Sequence, residues 1–203
     1  MDRTTVVHII TKLELGGAQQ NTLFTVSHLN RAAYNPVLIS GSEGMLVNEA
    51  EGLTDVSVHL LPDLVREIRP LKDIRAFIQM RRILKQIQMG GNGSKMIVHT
   101  HSSKAGILGR WAARLAGIRL IVHSVHGFSF NDYQPSLVRA FYVFLERITA
   151  RITTVFVTVS EADSEEGIGK RIFTGDDVTL IRSGIDIQRF CNPAGDRISL
   201  RGT

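Results

Sequence analysis

The chain has 203 residues, of which 43% are hydrophobic, so it is long and apolar enough to form one globular domain with a sizeable core. It contains no run of about 18 unbroken apolar residues, which excludes a membrane-spanning helix, and its N-terminus lacks the features of a signal peptide. Its one cysteine, Cys191, excludes an intrachain disulfide, which favours a cytoplasmic protein. The net charge of +5 makes the protein basic.

Apolar strands alternate with amphipathic helices along the chain. The strands are continuous apolar runs rather than alternating ones, which predicts a parallel sheet covered on both faces. We therefore expect an α/β, doubly wound, Rossmann-like fold of about seven strands. The predicted strands are 5–11, 35–40, 56–61, 95–100, 119–125, 154–160 and 178–183, and the predicted helices begin near Gly16, Leu71, Ser102, Pro135 and Glu161.

Two of the helices show an apolar spacing that predicts which side chains are buried. In the helix after the third strand, apolar residues recur at helical spacing and are expected to pack on the sheet: Leu71, Ile74, Phe77, Ile78, Leu84 and Ile87. The helix after the fourth strand is expected to bury Leu108, Trp111, Ala112 and Leu115 and to end at Gly117.

Ligands in such a sheet bind outside the carboxyl ends of the strands. The segments that follow five of the strands are rich in Gly, Ser, His, Lys and Asp: KLELGGAQ, HSSKAG, HGFSFND, SEAD and SGID. A helix begins at Gly16 and Gly17, and its free N–H groups could bind an anion. An ordinary tight turn without a ligand is an equally good interpretation of the two glycines. Ser103 and Lys104 stand in the first turn of another helix, where Ser102 or Ser103 can serve as the N-cap.

Four of the seven histidines lie in two short stretches: His99, His101, His123 and His126. Pairs at i and i+2 on a strand share a face and could ligate zinc, but no Asp or Glu lies near either pair before Asp132. His99 and His123 fall inside apolar strands and are interpreted as packed there. His126 follows a strand end and precedes an aromatic loop, where it could bind a sugar hydroxyl or assist a proton transfer.

All of the excess positive charge lies in segment 66–85, which contains seven of the 24 Lys and Arg residues but two of the 19 Asp and Glu residues. Attraction to an anionic membrane surface is one interpretation; the other is a solvated helix face. Nucleic acid is not expected, because no interleaved aromatic residues accompany the charge. The basic residues concerned are Lys72, Arg75, Arg81, Arg82 and Lys85.

Five blocks in order, ITKLELGGAQQNTL, IVHTHSSKAGILGRWAARLAG, VHSVHGFSF, VTVSEAD and VTLIRSGIDIQRF, resemble the N-terminal domain of family 4 glycosyltransferases. These are retaining enzymes of the GT-B fold, in which two Rossmann-like domains face each other. The resemblance runs to about Phe190. It implies that residues 1–190 form the acceptor-side domain and that 191–203 begin an interdomain segment or tail.

The resemblance also implies roles for individual residues. His126 would lie beside the transferred sugar as the catalytic histidine, the loop at Gly16 and Gly17 near the donor diphosphate, and Gly184 in the hinge. The acceptor would be a glycan or a lipid-linked glycan, bound on the side of His101, Ser103 and Lys104. Asp186 would complete the hinge, in which Ser183 replaces the usual Asn, and Gln19 stands where the family often has Glu.

The family generally works without a bound metal, and neither a metal nor a cofactor is expected. We expect the domain that binds the nucleotide-sugar donor to be absent from this chain, so that the chain alone is inactive. A bacterial enzyme of polysaccharide or lipid-linked glycan assembly, peripheral to the inner face of the plasma membrane, is the corresponding expectation. Two other hypotheses stay open: a non-catalytic Rossmann-like domain that binds a small ligand, and a metal-dependent hydrolase built on His101 and His126.

Overall fold

Seven parallel strands form one sheet in the order β3-β2-β1-β4-β5-β6-β7 in a computed structural model of the chain, which describes residues 3–91 and 95–184. The predicted α/β, doubly wound fold is confirmed. The strands are β1 (Thr4–Ile10), β2 (Tyr34–Gly41), β3 (Ser57–Leu61), β4 (Met96–His101), β5 (Leu120–Val125), β6 (Val155–Thr158) and β7 (Val178–Leu180).

Six helices connect these strands within the described residues: α1 (Gly17–His28), α2 (Val47–Glu51), α3 (Pro70–Gly90), α4 (Ser103–Ala116), α5 (Ser136–Ala150) and α6 (Glu161–Gly169). The short helix α2 was not predicted, and a 3₁₀ turn at Gly175–Asp177 precedes β7. None of the described helices has the length and apolarity needed to cross a membrane.

Successive side chains of each strand point to opposite faces of the sheet, which creates two separate core layers. Val7 and Ile9 of β1 pack in the layer under α3 and α4, whereas Ile10 packs in the layer under α1 and α2. A third cluster, which contains Phe130, Phe156 and Phe173, fills the end of the sheet beside α5. The helices therefore cover both faces, as the continuous apolar strands require.

Helix α4 contacts the sheet through small residues rather than through the leucines that were predicted to be buried. Leu115 is exposed and Leu108 is only partly buried. A Cβ atom added at Gly106 would lie 2.5 Å from Cε1 of His123, and one added at Gly109 would lie 3.0 Å from Cγ2 of Thr100. The absence of side chains at these two positions lets the helix axis approach the strands closely. The small buried residues are Ala105, Gly106, Gly109, Ala112, Ala113 and Ala116.

Helix α3 also presents a different face to the core from the one predicted. Ala76, Met80 and Leu84 are buried, whereas Leu71 is 75% exposed and Ile74 is 57% exposed. The prediction that all six apolar residues pack on the sheet is therefore wrong. The buried face of α3 is therefore the one that carries Ala76, Met80 and Leu84, and part of the apolar surface of the helix faces outward.

A buried ion pair joins α4 to α5. Nη2 of Arg110 lies 2.7 Å from Oε2 of Glu146, and the Arg110 side chain is fully buried. The guanidinium also donates to the carbonyl of Gly106 and to Oγ1 of Thr153, so most of its donors are used. Burial lowers the pKa of Arg110, and the nearby Glu146 carboxylate opposes that effect. The pair fixes how the two helices are placed over the sheet.

Replacing Glu146 with Ala should leave the Arg110 guanidinium buried without a counter-charge and lower the free energy of unfolding by about 3–5 kcal/mol. Urea denaturation measures this change. The matched control is Glu161→Ala, which breaks the exposed pair between Glu161 and Arg182 and should change stability by less than about 1 kcal/mol. Equal effects of the two substitutions would contradict a structural role for the buried pair.

Candidate functional site

A cleft opens at the carboxyl ends of β1, β4 and β5 and encloses a volume of ≈ 370 Å³. It lies where the strand order reverses, because β2 and β4 are the two neighbours of β1. It is lined by the segment after β1, the first turn of α1, the first turn of α4 and the loop after β5: Thr11, Lys12, Glu14, Ala18, Gln19, Ser102, Ser103, Lys104, His126, Gly127, Phe128 and Ser129, with Ile10 and Arg66.

The first turn of α1 faces this cleft through Ala18 and Gln19. Gly16 precedes the helix in extended backbone, with φ of −164°, so a tight turn does not explain this glycine. A Cβ atom added at Gly17 would meet nothing within 4 Å. No acidic residue stands in the first turn and no side chain caps it, so its N–H groups can bind an anion.

The first turn of α4 is held by Thr11, the residue that follows β1. Ser102 occupies the N-cap position, but neither it nor Ser103 caps the helix with its side chain, contrary to the prediction. Instead, Oγ1 of Thr11 accepts a hydrogen bond of 3.1 Å from the Ala105 N–H and lies 2.8 Å from Oγ of Ser102. Ser102 has φ of 60°, a strained conformation for a residue with a Cβ, at the edge of the cleft.

The lysines of the cleft are paired with carboxylates. Nζ of Lys104 lies 2.5 Å from Oδ1 of Asp73 and also donates to the carbonyl of Glu67, so Lys104 ties α4 to the start of α3. Lys12 pairs with Glu14 at 3.1 Å and with Glu43 at 3.4 Å, and its hydrogen bonds with these two carboxylates raise its pKa. Each ammonium group is thus largely neutralised by a neighbour.

Three imidazoles form a hydrogen-bonded row that leads from the sheet interior to the cleft. Nδ1 of His8 lies 3.0 Å from Nε2 of His101, and Nδ1 of His101 lies 3.2 Å from Nε2 of His126. His99 stands beside the row, and its Nε2 lies 2.8 Å from Oγ of Ser124. No role for His8 was expected from the sequence. The pairing of His8 with His99 between β1 and β4 is the feature that could have placed His8 in this row.

Ligand atoms of His8, His99 and His101 lie within 4.8 Å of one another, which is close enough for a metal ion. The ring planes of His8 and His101 differ by only 12°, with centroids 5.3 Å apart. Because Nδ1 of His8 and Nε2 of His101 are also only 3.0 Å apart, these two nitrogens point at each other, as in a hydrogen bond. They do not both point at a common position where a metal ion could bind. Nδ1 of His101 and Nε2 of His126 likewise point at each other. The metal-dependent hydrolase hypothesis was based on these two histidines.

The remaining histidine of the two stretches, His123, and the predicted hinge residues lie apart from this row. His123 is buried on the opposite face of the sheet, where its Nδ1 lies 2.9 Å from Oγ1 of Thr100. Gly184 is exposed near the end of the described chain, and Asp186 and Cys191 lie outside the described residues. A second hollow, lined by Arg3, Arg31 and other residues, lies at the amino ends of β1 and β2.

The basic residues of α3 surround its outward-facing apolar residues. Arg75, Arg82 and Lys85 are exposed, whereas Lys72 is half-buried. Nε of Arg81 donates to the Leu115 carbonyl at 3.2 Å, so this side chain is tied to the C-terminus of α4.

Comparison with known proteins identifies the family. The family described as Glycosyltransferase Family 4 matches residues 15–189. A UDP-Gal:alpha-D-GlcNAc-diphosphoundecaprenol alpha-1,3-galactosyltransferase from Escherichia coli is 32% identical over 185 residues. That match covers 91% of this chain but 46% of the relative, so the chain spans about half of the relative's length.

Solved structures share the fold at low sequence identity. Sucrose-phosphate synthase from Thermosynechococcus elongatus aligns with a TM-score of 0.67 and 14% identity, over 92% of this chain and 49% of the synthase. MurG from Acinetobacter baumannii aligns with a TM-score of 0.59 and 12% identity, over 91% of this chain and 47% of MurG. The chain therefore has the fold of about half of each of these proteins.

The buried histidines should make stability depend on pH. Burial holds the pKa of His8, His101 and His123 well below 6.5 and lowers that of His99 to about 4. As the pH falls below 6.5, the unfolded chain binds protons that the folded chain does not, so the free energy of unfolding should fall. The slope should be up to about 1.4 kcal/mol per pH unit for each histidine.

Urea denaturation at pH 7.5, 6.0 and 5.0 measures this dependence, and His99→Asn should make it shallower because one of the contributing groups is lost. A free energy of unfolding that stays constant from pH 7.5 to 5.0 would show that the histidines are not held neutral.

Proposed function

This chain belongs to glycosyltransferase family 4, and we propose that it forms the acceptor-binding half of a retaining enzyme that transfers a sugar from a nucleotide-sugar donor to a glycan or lipid-linked acceptor. A facing lobe outside this sequence would bind the nucleotide. The E. coli relative is named for a UDP-sugar donor and a diphosphoundecaprenol-linked GlcNAc acceptor. A sugar linked through a diphosphate to a lipid is therefore the acceptor class proposed here.

The observation that carries this proposal is the convergence of three elements on one cleft. The first turn of α1, the first turn of α4 and His126 all line it. Two helix N-termini without acidic residues provide N–H groups for phosphate oxygens, and the imidazole of His126, in the loop after β5, lines the same cleft and can bind a sugar hydroxyl. A small-ligand domain without catalytic activity would not need all three at one place.

We assign the roles as follows. The N-terminus of α1, at Gly16 and Gly17, offsets the charge that develops on the leaving diphosphate as the glycosidic bond breaks. His126 contacts the transferred sugar, which passes through a transition state of oxocarbenium character. His101 supports His126 from inside, and Ser103 and the paired Lys104 shape the acceptor side.

The outer surface of the helical layer supports a lipid-linked acceptor. Leu71 and Ile74 are exposed at the start of α3, and Leu137 and Phe141 are exposed at the start of α5. Both helix starts follow the carboxyl end of a strand, so these apolar side chains lie on the same side of the domain as the cleft. With the basic residues of α3, they suit a peripheral contact with the inner, anionic face of a bacterial plasma membrane.

This chain should bind a GlcNAc diphosphate that carries a short alkyl chain, and Ser103→Asp should weaken that binding at least about tenfold. Aspartate at the first position of α4 places a negative charge where the acceptor's phosphate is expected, while it favours the helix itself, so the loss would not reflect unfolding. Isothermal titration calorimetry measures the affinity.

Ser103→Asn is the neutral control of the same shape and should retain binding within about threefold. An absence of saturable binding by the acceptor analogue, together with tight binding of UDP alone, would contradict the acceptor-side assignment and favour a nucleotide-binding domain.

The chain should sediment with vesicles that contain anionic lipid at low salt. Replacing both Arg75 and Arg82 with Glu should lower the partition coefficient at least about tenfold, because each basic residue near such a surface contributes on the order of 1 kcal/mol. Replacing both Leu71 and Ile74 with Ser should also lower the partition coefficient. Because salt screens charges but not apolar contacts, this loss should persist at high salt.

The matched controls change residues away from this surface. Arg119 and Arg151 precede β5 and β6 at the opposite edge of the sheet, and their double replacement by Glu should have a much smaller effect. Ile168→Ser removes an exposed apolar side chain at the C-terminal end of α6, away from the carboxyl ends of the strands, and should have no effect. Equal losses in the control and test variants would contradict a specific membrane-facing surface.

A further inference from the structure

Among the described residues, three lysine and arginine side chains line the cleft, and they differ in how firmly their partners hold them. Lys12 lies between the carboxylates of Glu14 and Glu43, and its side chain is only 25% exposed. Lys104 forms an ion pair with Asp73 and donates to a backbone carbonyl, and its side chain is 16% exposed. Neither ammonium group can approach a new anion without giving up a short contact.

Arg66 is the third of these side chains, and it is held much more loosely. Its side chain is 78% exposed, and Nη1 lies 3.6 Å from Oε2 of Glu14. Exposed ion pairs of this kind contribute little to stability. If Arg66 turned away, Glu14 would keep its contact of 3.1 Å with Lys12. Arg66 can therefore exchange its contact with Glu14 for one with an incoming anion.

The backbone that carries Arg66 is fixed, although the side chain is exposed. Leu64 and Val65, directly before it, are buried. The carbonyl of Glu67, directly after it, accepts the hydrogen bond from Lys104, which stands in the first turn of α4. Arg66 therefore lines the cleft from beside the turn whose N–H groups we expect to bind the acceptor's phosphate.

Arg66 also stands where the cleft meets exposed apolar residues. Ile68, two residues further along the chain, is 66% exposed, and the exposed Leu71 and Ile74 follow at the start of α3. A lipid-linked acceptor needs an apolar contact for its lipid and a positive charge for the diphosphate that joins the lipid to the sugar. With the lipid against Ile68 and Leu71 and the sugar in the cleft, the diphosphate would lie at Arg66.

We propose that Arg66 binds the diphosphate of the lipid-linked acceptor, where it releases Glu14 and forms an ion pair with phosphate oxygens. A guanidinium suits this role because its planar set of N–H groups can bond to two phosphate oxygens at once. The inference rests on the proposed function, because it requires a lipid-linked sugar in the cleft. It adds a binding residue and a direction of entry, from the side of α3.

The affinity of the chain for a GlcNAc diphosphate that carries a short alkyl chain tests this role, and isothermal titration calorimetry measures it. Arg66→Gln should weaken binding at least about tenfold, because charge-assisted hydrogen bonds to the phosphate are lost. Arg66→Lys keeps the positive charge and should bind within about threefold of the wild type. Because Arg66 is exposed, both variants should unfold at the wild-type temperature.

Arg69→Gln is the matched control. It removes the same charge three residues away, at an exposed position that does not line the cleft. Its affinity for the GlcNAc diphosphate should stay within about threefold of the wild type. Equal losses in Arg66→Gln and Arg69→Gln would indicate a general effect of net charge and would overturn the proposal.

A diphosphate is also part of a nucleotide-sugar donor, so UDP is titrated in parallel. Binding of UDP that is lost in Arg66→Gln would assign Arg66 to the donor and contradict the proposal. If the wild type and Arg66→Gln bind the GlcNAc diphosphate equally, the role of Arg66 is wrong and the proposed function stands. If the wild type does not bind it at all, the proposed function is contradicted and this inference fails with it.

Discussion

The parallel pairing of β1 with β4 is the constraint on which the rest of the site depends. β2 and β3 lie on one side of β1, and β4 lies on the other side. The helices that follow β1 and β4 therefore cover opposite faces of the sheet. The space between their first turns becomes the cleft. The same register sets Ile9 beside Thr100 and brings Thr11 to the N-terminus of α4, which it caps.

The electrostatic character of the cleft comes from backbone dipoles more than from full charges. Lys12 and Lys104 are both paired with carboxylates, and the buried imidazoles are held neutral by their burial. The two helix N-termini, in contrast, have no acidic residue in their first turns. A phosphate that enters the cleft would therefore meet oriented N–H groups that need no reorganisation, which is the arrangement that favours charge stabilisation in transfer reactions.

The strand pattern, the fold class and the edge of the sheet that carries the cleft could be predicted, because they depend on local periodicity and on a general rule for parallel sheets. The buried faces of α3 and α4 could not. Gly106 allows a close approach of α4 to the sheet that depends on the partner surface rather than on hydrophobicity, and small Ala76 of α3 is buried while larger apolar residues of the same helix are exposed. His8 was missed for a similar reason: its partners lie more than 90 residues away, and only the register of β1 against β4 brings them together.

The most direct test of the shared cleft is amide chemical-shift mapping of the ¹⁵N-labelled chain during titration with a short-chain GlcNAc diphosphate. The account predicts that the largest shifts fall together in the first turns of α1 and α4 and in the loop from His126 to Ser129. Shifts concentrated in the hollow at the amino ends of the strands, around Arg3 and Arg31, would contradict it.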